Sequence, residues 1–227
     1  MLTIEDRTPA TAGQLDITGQ FRQHQMFFCA LWQWSNDGFS MTSIRSLKPN
    51  VTREDAMRHF TAGSLNFAAD LIRGRVQSIA ELYIPYRLFR VKFTNAGKEE
   101  SRIFALDAVQ GTLDLYQFSG LPAETDLCTL DTRNALSSAV DASQAQERVV
   151  AKVRRLIFAR GFFRLRDVQL EAAQIPGDLH IPYWICFRGS DGRVHFSILD
   201  AVRRRAEGAK ARHLIEDWLR LEKSAVL

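Results

Sequence analysis

The segments "ELYIPYRLFR" (Glu81–Arg90) and "DLHIPYWICF" (Asp178–Phe187) decide the fold, because they are two copies of one pattern. Each begins with an acidic residue and Leu, continues with one variable residue, and then has Ile-Pro-Tyr. We read both as β-strands, in which successive side chains point to opposite faces. Proline cannot donate a hydrogen bond to a sheet, so Pro85 and Pro182 are expected at a strand start, an edge or a bulge. The pattern predicts that both copies form strands of equivalent units.

The alternation also predicts which side chains share a face of each strand. Ile84, Tyr86 and Leu88 lie on one face of the first copy, and Ile181 and Tyr183 take the equivalent places in the second. We expect this shared face to lie under a helix.

A second motif follows each copy. The segments "FALDAVQG" (Phe104–Gly111) and "SILDAVRR" (Ser197–Arg204) share Leu-Asp-Ala-Val. Between the two motifs stand "TNAGKEES" in the first copy and "RGSDG" in the second, and both are rich in turn residues. Each copy therefore contains a predicted hairpin with a loop of variable length.

A helical pattern precedes each copy. The first predicted helix has a capping box of Thr52 and Asp55, and the second has one of Ser143 and Gln146. A C-terminal amphipathic helix is predicted over residues 207–223. At the other end, a β-hairpin is predicted over residues 24–47, with its aromatic rings either buried or exposed as a ledge.

These patterns predict an α+β fold of two tandem helix-plus-antiparallel-sheet units, each α-β-β-β. The predicted organisation is an N-terminal extension with the β-hairpin (1–50), a first repeat (51–127), a linker (128–141), and a second repeat with the C-terminal helix (142–227).

The segment "LDAVQGTLDLYQF" (Leu106–Phe118) resembles the PepSY family, in which a helix packs on a cystatin-like antiparallel sheet and Asp-Ala-x-x-Gly marks the last hairpin. The second copy has Arg203-Arg204 where that pattern has Gly, with Gly208 later. The resemblance implies the α-β-β-β fold. Domains of this family usually lie outside the cytoplasm and bind or restrain peptidases, so the resemblance also implies a binding role.

Composition limits the class of protein. The chain has 227 residues, a net charge of +4 and 25% charged residues, which is the balance of an ordinary globular protein. It contains no apolar run of the ~18 residues that a membrane-spanning helix needs. The polar start lacks the features of a secretory signal, and the three cysteines form no C-x-x-C pair. We therefore expect a cytoplasmic protein without a disulfide framework.

No catalytic, cofactor-binding or metal-binding signature is present, so none of these roles is assigned. Asp107 and Asp200 occupy equivalent places, and two carboxylates that share a proton would suggest an enzyme. A duplicated unit also duplicates its structural residues, and Asp before a turn commonly accepts backbone N–H bonds. We therefore expect turn-forming roles for both.

Three functional hypotheses remain. The leading one is a non-catalytic binding module with a protein partner. The second is a nucleic-acid-associated protein, because residues 142–227 carry 16 basic and 10 acidic side chains; its candidate basic patch is Arg148, Arg155, Arg203, Arg204 and Arg205. The third is a small-molecule pocket between the repeats, lined by Tyr83, Tyr86, Tyr183 and Trp184.

Overall fold

The computed structural model describes residues 41–62, 74–95, 98–161, 169–190 and 193–225. These residues form eight strands and three helices: β1 (Thr42–Leu47), α1 (Arg53–Thr61), β2 (Arg75–Asn95), β3 (Lys98–Asp107), β4 (Tyr116–Phe118), β5 (Leu127–Thr132), α2 (Ala142–Gly161), β6 (Gln169–Ser190), β7 (Arg193–Asp200), β8 (Arg205–Glu207) and α3 (Ala209–Ala225). The first half of the predicted hairpin, residues 24–34, lies outside the described residues.

The two Ile-Pro-Tyr segments lie side by side in the longest strands. β2 and β6 pair antiparallel over almost their whole length, and Ile84 pairs with Ile181, its own counterpart in the repeat. Leu82 pairs with Tyr183 and Tyr86 with Leu179, so counterparts exchange places across that central pair. The register therefore relates the two units by an approximate two-fold axis through Ile84 and Ile181.

The predicted fold class, two separate helix-plus-sheet repeats, is wrong. β2 and β6 belong to a single curled, mixed sheet in the order β4-β3-β2-β6-β1-β5, with β7 paired to β6 and β8 paired to β7. Each copy does form a meander of three strands, but the long strand of one pairs with the long strand of the other. Alternation along a chain identifies a strand without identifying the strand beside it, which is why the sequence did not show the joining of the units.

Helices α1 and α2, one at the start of each repeat, both pack across the boundary between the repeats. Ala56 and Phe60 of α1 pack with Trp184, Cys186 and Leu199, which belong to the second meander. In the mirrored arrangement, Ala145, Val149 and Val153 of α2 pack on the first meander, against Phe89, Val91, Phe104 and Leu106. Each helix therefore packs on the hairpin of the other unit as well as on the long strand of its own unit.

The face carrying Ile84, Tyr86 and Leu88 was wrongly expected to lie under these helices. It belongs to the main core with Ile181 and Tyr183. The cover on this core includes the C-terminal helix α3, whose Ala211, Leu214 and Ile215 are buried there. Helices α1 and α2 lie on the opposite face of the sheet, which explains why both faces of β2 and β6 are apolar.

The first part of the stretch predicted as a linker, residues 128–141, belongs to the sheet. It contains most of β5, which pairs antiparallel with β1. Ala135 then makes a parallel bridge to Tyr83, and Ser46 of β1 makes the same kind of bridge to His180. Tyr83 and His180 are counterparts in the repeat, so a leading strand precedes the helix in both units. We define the first unit as residues 42–118 and the second as residues 127–225.

The helix caps follow the sequence in one unit and depart from it in the other. The predicted capping box of Thr52 and Asp55 is confirmed. In the second unit the N-cap is Asp141, whose carboxylate accepts from the backbone N–H of Gln144 at 2.8 Å. The capping box predicted at Ser143 and Gln146 is wrong, because Gln146 instead donates to the carbonyl of Ala172 at 2.9 Å.

The turns after the two Leu-Asp-Ala-Val motifs need a left-handed residue at the same place. Gly111, four residues after Asp107, has φ +67°, and Arg204, four residues after Asp200, has φ +56°. The arginine adopts a conformation that costs an L-residue roughly 1–2 kcal/mol. Its Nη2 donates to the carbonyl of Asn50 at 2.7 Å, which offsets part of that cost.

Gly111→Ala is expected to lower the free energy of unfolding by about 1–2 kcal/mol, because φ is positive and the new Cβ would lie 2.8 Å from Nη1 of Arg148. The matched variant Arg204→Gly relieves the strained conformation but loses a hydrogen bond, and should change stability by less than about 1 kcal/mol. Urea denaturation measures both. Equal losses in the two variants would contradict the equivalence of the turns.

Candidate functional site

The carboxylates of the two repeated motifs are buried and saturated by turn donors. Asp107 accepts backbone N–H bonds from Gln110 at 2.9 Å, from Gly111 at 2.7 Å and from Leu113 at 2.8 Å. Three such donors satisfy most of the hydrogen-bonding capacity of a carboxylate. The expectation that Asp107 forms a turn is confirmed.

The carboxylate of Asp200 also accepts three hydrogen bonds, but one of its three donors is a side chain. It accepts backbone N–H bonds from Val202 at 2.9 Å and Arg203 at 2.7 Å. Its second oxygen accepts from the hydroxyl of Tyr116, which belongs to the first unit. Asp200 therefore forms a turn, as expected, and also holds the two units together.

The alanine of each motif joins a helix to the opposite unit. The N–H of Ala108 donates to the carbonyl of Pro85, and that of Ala201 donates to Pro182. The carbonyl of Ala201 accepts from Asn50 just before α1, and the carbonyl of Ala108 accepts from Val140 just before α2. Both alanines are fully buried, so a larger side chain has no room there.

Three tyrosines meet in the main core beside these turns. The hydroxyls of Tyr86 and Tyr183 are 2.8 Å apart, and the rings of Tyr86 and Tyr116 make an edge contact at 5.6 Å. Burial, together with neighbouring tyrosine and aspartate side chains, raises the pKa of all three phenols well above the ordinary value. They remain neutral hydrogen-bonding groups at physiological pH.

The four residues of the predicted pocket do not line one cleft. Tyr86 and Tyr183 contact each other in the main core. Trp184, next along the strand, faces α1, and its indole N–H donates to the carbonyl of Val51 at 2.9 Å. The backbone N–H of Tyr83 donates to the carbonyl of Asn134, and the carbonyl of Tyr83 accepts from the N–H of Leu136. Adjacent residues of a strand point to opposite faces, which separates Trp184 from Tyr183.

Cations from the second unit surround the loop between β3 and β4. Arg148 and Lys152 of α2 donate to the carbonyls of Gln110 and Leu113. Two more interactions complete this "loop clamp": Arg203 donates to the carbonyl of Leu115 at 3.3 Å, and Lys210 of α3 pairs with Asp114 at 2.6 Å. The structure brings Arg148 and Arg203 to one loop, where both hold the first unit.

The other members of the predicted basic patch have different partners. Arg204 binds the backbone beside α1, and Arg205 pairs with Glu207 at 3.2 Å. Arg155 lies on the exposed side of α2. Acidic groups and backbone carbonyls of the protein therefore engage four of the five arginines.

Two half-buried charges near the loop clamp have shifted pKa values. Desolvation lowers the pKa of Lys152, while nearby Asp107 opposes that shift. Desolvation raises the pKa of Glu207 above the ordinary value of 4.5, while the ion pair with Arg205 opposes it. The pKa shifts of Lys152 and Glu207 therefore come from burial and from charged residues of the same chain.

The exposed side of α2 carries Arg148 and Arg155 of the predicted basic patch, and we call it the α2 face. Phe158, which is 38% exposed, follows Arg154 by four residues and Arg155 by three, so these three side chains share this side. Arg154 and Arg155 make no ion pair with any described residue. Leu156 is 39% exposed but comes two residues before Phe158, so it lies nearly opposite it around the helix.

Within the described ranges, no three His, Cys, Asp or Glu side chains are placed to hold a metal ion. In the same part of the chain, none of the helices has the length and apolar character needed to cross a bilayer. Neither Cys128 nor Cys186 forms a disulfide.

Tyr116→Phe should lower the free energy of unfolding by about 1–3 kcal/mol, because the buried carboxylate of Asp200 loses its hydroxyl donor. Tyr86→Phe is the matched control: it breaks a bond between two neutral hydroxyls and should cost about 0.5–1.5 kcal/mol. Urea denaturation of both variants gives the comparison. A cost for Tyr116→Phe no greater than that for Tyr86→Phe would show that this carboxylate does not depend on the phenol.

Glu207→Gln should weaken the pH dependence of stability. The raised pKa means that the folded chain binds the Glu207 proton more tightly than the unfolded chain, so stability falls as pH rises from about 4.5 through the folded pKa. Glutamine removes this contribution. Urea denaturation across that range should therefore show a shallower decline than in the parent, whereas Glu99→Gln, at an exposed ion pair, should leave the decline unchanged. A steeper decline in Glu207→Gln would reverse the assigned sign.

The sequence matches no family model, and neither the curated proteins nor the solved structures compared with it give a match. The PepSY-like resemblance therefore stays a prediction.

Proposed function

We propose that this chain is a non-catalytic protein-interaction module that binds an acidic segment of a partner protein on the α2 face. The observation that carries the proposal is the positive charge of α2, where Arg148, Lys152, Arg154 and Arg155 stand against one acid, Glu147. Opposite charge attracts a partner and sets its orientation.

The pseudo-symmetry supplies an internal comparison for this charge. α1 occupies the equivalent place on the other hairpin, and its two arginines are balanced by Glu54 and Asp55. One of them, Arg58, pairs with Asp55 at 2.5 Å. The fold uses Arg148 and Lys152 of α2 in the loop clamp. Arg154 and Arg155 have no such role among the described residues, so the charge of these two arginines is available for a partner.

An apolar residue of the same face supports a protein partner over a nucleic acid. Phe158 is 38% exposed and shares the α2 face with Arg154 and Arg155. Nucleic-acid binding favours a continuous basic surface, whereas Arg203 and Arg205 beside this helix are occupied within the protein. A mixed basic and apolar face suits an acidic segment with apolar side chains.

A cytoplasmic location is part of the proposal. Neither Cys128 nor Cys186 forms a disulfide, which fits a reducing compartment.

The test is fluorescence anisotropy with a labelled peptide of alternating glutamates, leucines and phenylalanines. We expect binding at 50 mM salt that weakens at least tenfold when Arg154→Glu and Arg155→Glu are combined, because two attractions become repulsions. The matched control is Arg53→Glu with Arg90→Glu, which makes the same change of net charge at two exposed arginines elsewhere.

Two further probes decide between partner classes. A lysine-for-glutamate version of the peptide should not bind, and single-stranded DNA and RNA should bind more weakly than the acidic peptide. Tighter nucleic-acid binding with a steep salt dependence would favour the nucleic-acid hypothesis instead. No binding of the acidic peptide, or equal losses in the two double variants, would refute the proposal.

A further inference from the structure

We infer that two copies of this chain can exchange halves, so that the first unit of one chain packs on the second unit of another. The partner is a second copy of this chain, and the surface is the whole contact between the units. The exchange of halves does not depend on the proposed function, because it involves the contact between the units and not the α2 face.

The longest strand pairing of the fold joins the two units. β2 pairs with β6, and β1 pairs with β5. Helix α1 is buried against the second meander and α2 against the first. The hydroxyl pair of Tyr86 and Tyr183 and the bond from Tyr116 to Asp200 cross the same boundary.

Smaller polar contacts follow the same rule. All four interactions of the loop clamp join the second unit to the loop of the first. Arg188 of β6 is buried and donates to the carbonyl of Phe60 in α1. Asn50 donates to the carbonyl of Val202 at 2.8 Å.

The first unit by itself keeps little more than its meander, and the second keeps its meander with α3 packed on it. Without the other unit, the described part of the first unit would expose both faces of a three-stranded sheet and the buried side of α1. A small sheet of this kind needs cover on its apolar faces to be stable. The units are therefore obligate partners, and every contact one needs can be supplied equally by the same unit of another chain.

The connection between the units determines which arrangement forms. Eight residues, 119–126, join β4 to β5. The last three are held beside β1, where Arg45 pairs with Glu124 at 2.5 Å and the N–H of Lys48 donates to Asp126. Residues 119–123 therefore span from β4 to β1. A short flexible connection gives an effective concentration of about millimolar, so the closed monomer is favoured below that concentration.

Shortening the connection should reverse this preference. Deleting residues 120–123 leaves one residue between β4 and the segment held at β1, and removes roughly 13 Å of reach. The shortened chain is expected to be a dimer by light scattering, with the circular dichroism spectrum of the parent. A folded monomer would overturn the inference.

A disulfide across the units gives a readout in the complete chain. Lys92 and Glu171 are exposed and paired between β2 and β6, and paired strand residues lie about 4.5–5.5 Å apart, within the range that a disulfide spans. Lys92→Cys with Glu171→Cys should close within one chain in the monomer and between two chains in the exchanged dimer. Each single variant serves as the control for the native cysteines.

The complete chain carrying both cysteines is then unfolded under reducing conditions, refolded near millimolar concentration and oxidised. Non-reducing electrophoresis should show covalent dimer in a fraction that rises with the refolding concentration and is absent from the single variants. Covalent dimer no more abundant than in the single variants at every concentration would overturn the inference, even if the shortened chain fails to fold.

Discussion

The antiparallel pairing of β2 with β6 is the constraint on which the rest of the structure depends. It sets each Ile-Pro-Tyr segment against its counterpart, with Ile84 opposite Ile181. This register brings the hydroxyls of Tyr86 and Tyr183 together and leaves the carbonyls of Pro85 and Pro182 to accept from the two motif alanines. The residues that are identical in the two copies therefore make equivalent contacts on the two sides of the approximate two-fold axis.

The sequence predicts the local parts of this arrangement. Both Ile-Pro-Tyr segments lie in strands, Thr52 caps its helix, and Asp107 accepts the N–H groups of its turn. Each of these features depends on residues within a few positions of one another. The cap of α2 shows how narrow the choice can be, since Asp141, two residues before the predicted Ser143, binds the helix N-terminus instead.

The parts that the sequence did not predict depend on distant partners. The alternation along β2 does not show whether the strand beside it belongs to the same meander or to the other unit. Arg203 appears in the sequence as free charge, but the fold places it against the carbonyl of Leu115. The separation of Trp184 from Tyr183, by contrast, follows from strand alternation and was readable from the sequence. The α2 face was accessible from helical spacing, although its contrast with α1 required the structure.

The pairing of β2 with β6 also has a consequence for synthesis on the ribosome. These strands are separated by about a hundred residues, and translation adds about 5–20 residues per second. The first unit therefore waits roughly 5–20 seconds, with Ile84 and Tyr86 exposed, before the strand that covers them emerges. During that interval the nascent chain presents an apolar strand without its neighbour, which is the kind of segment that chaperones bind.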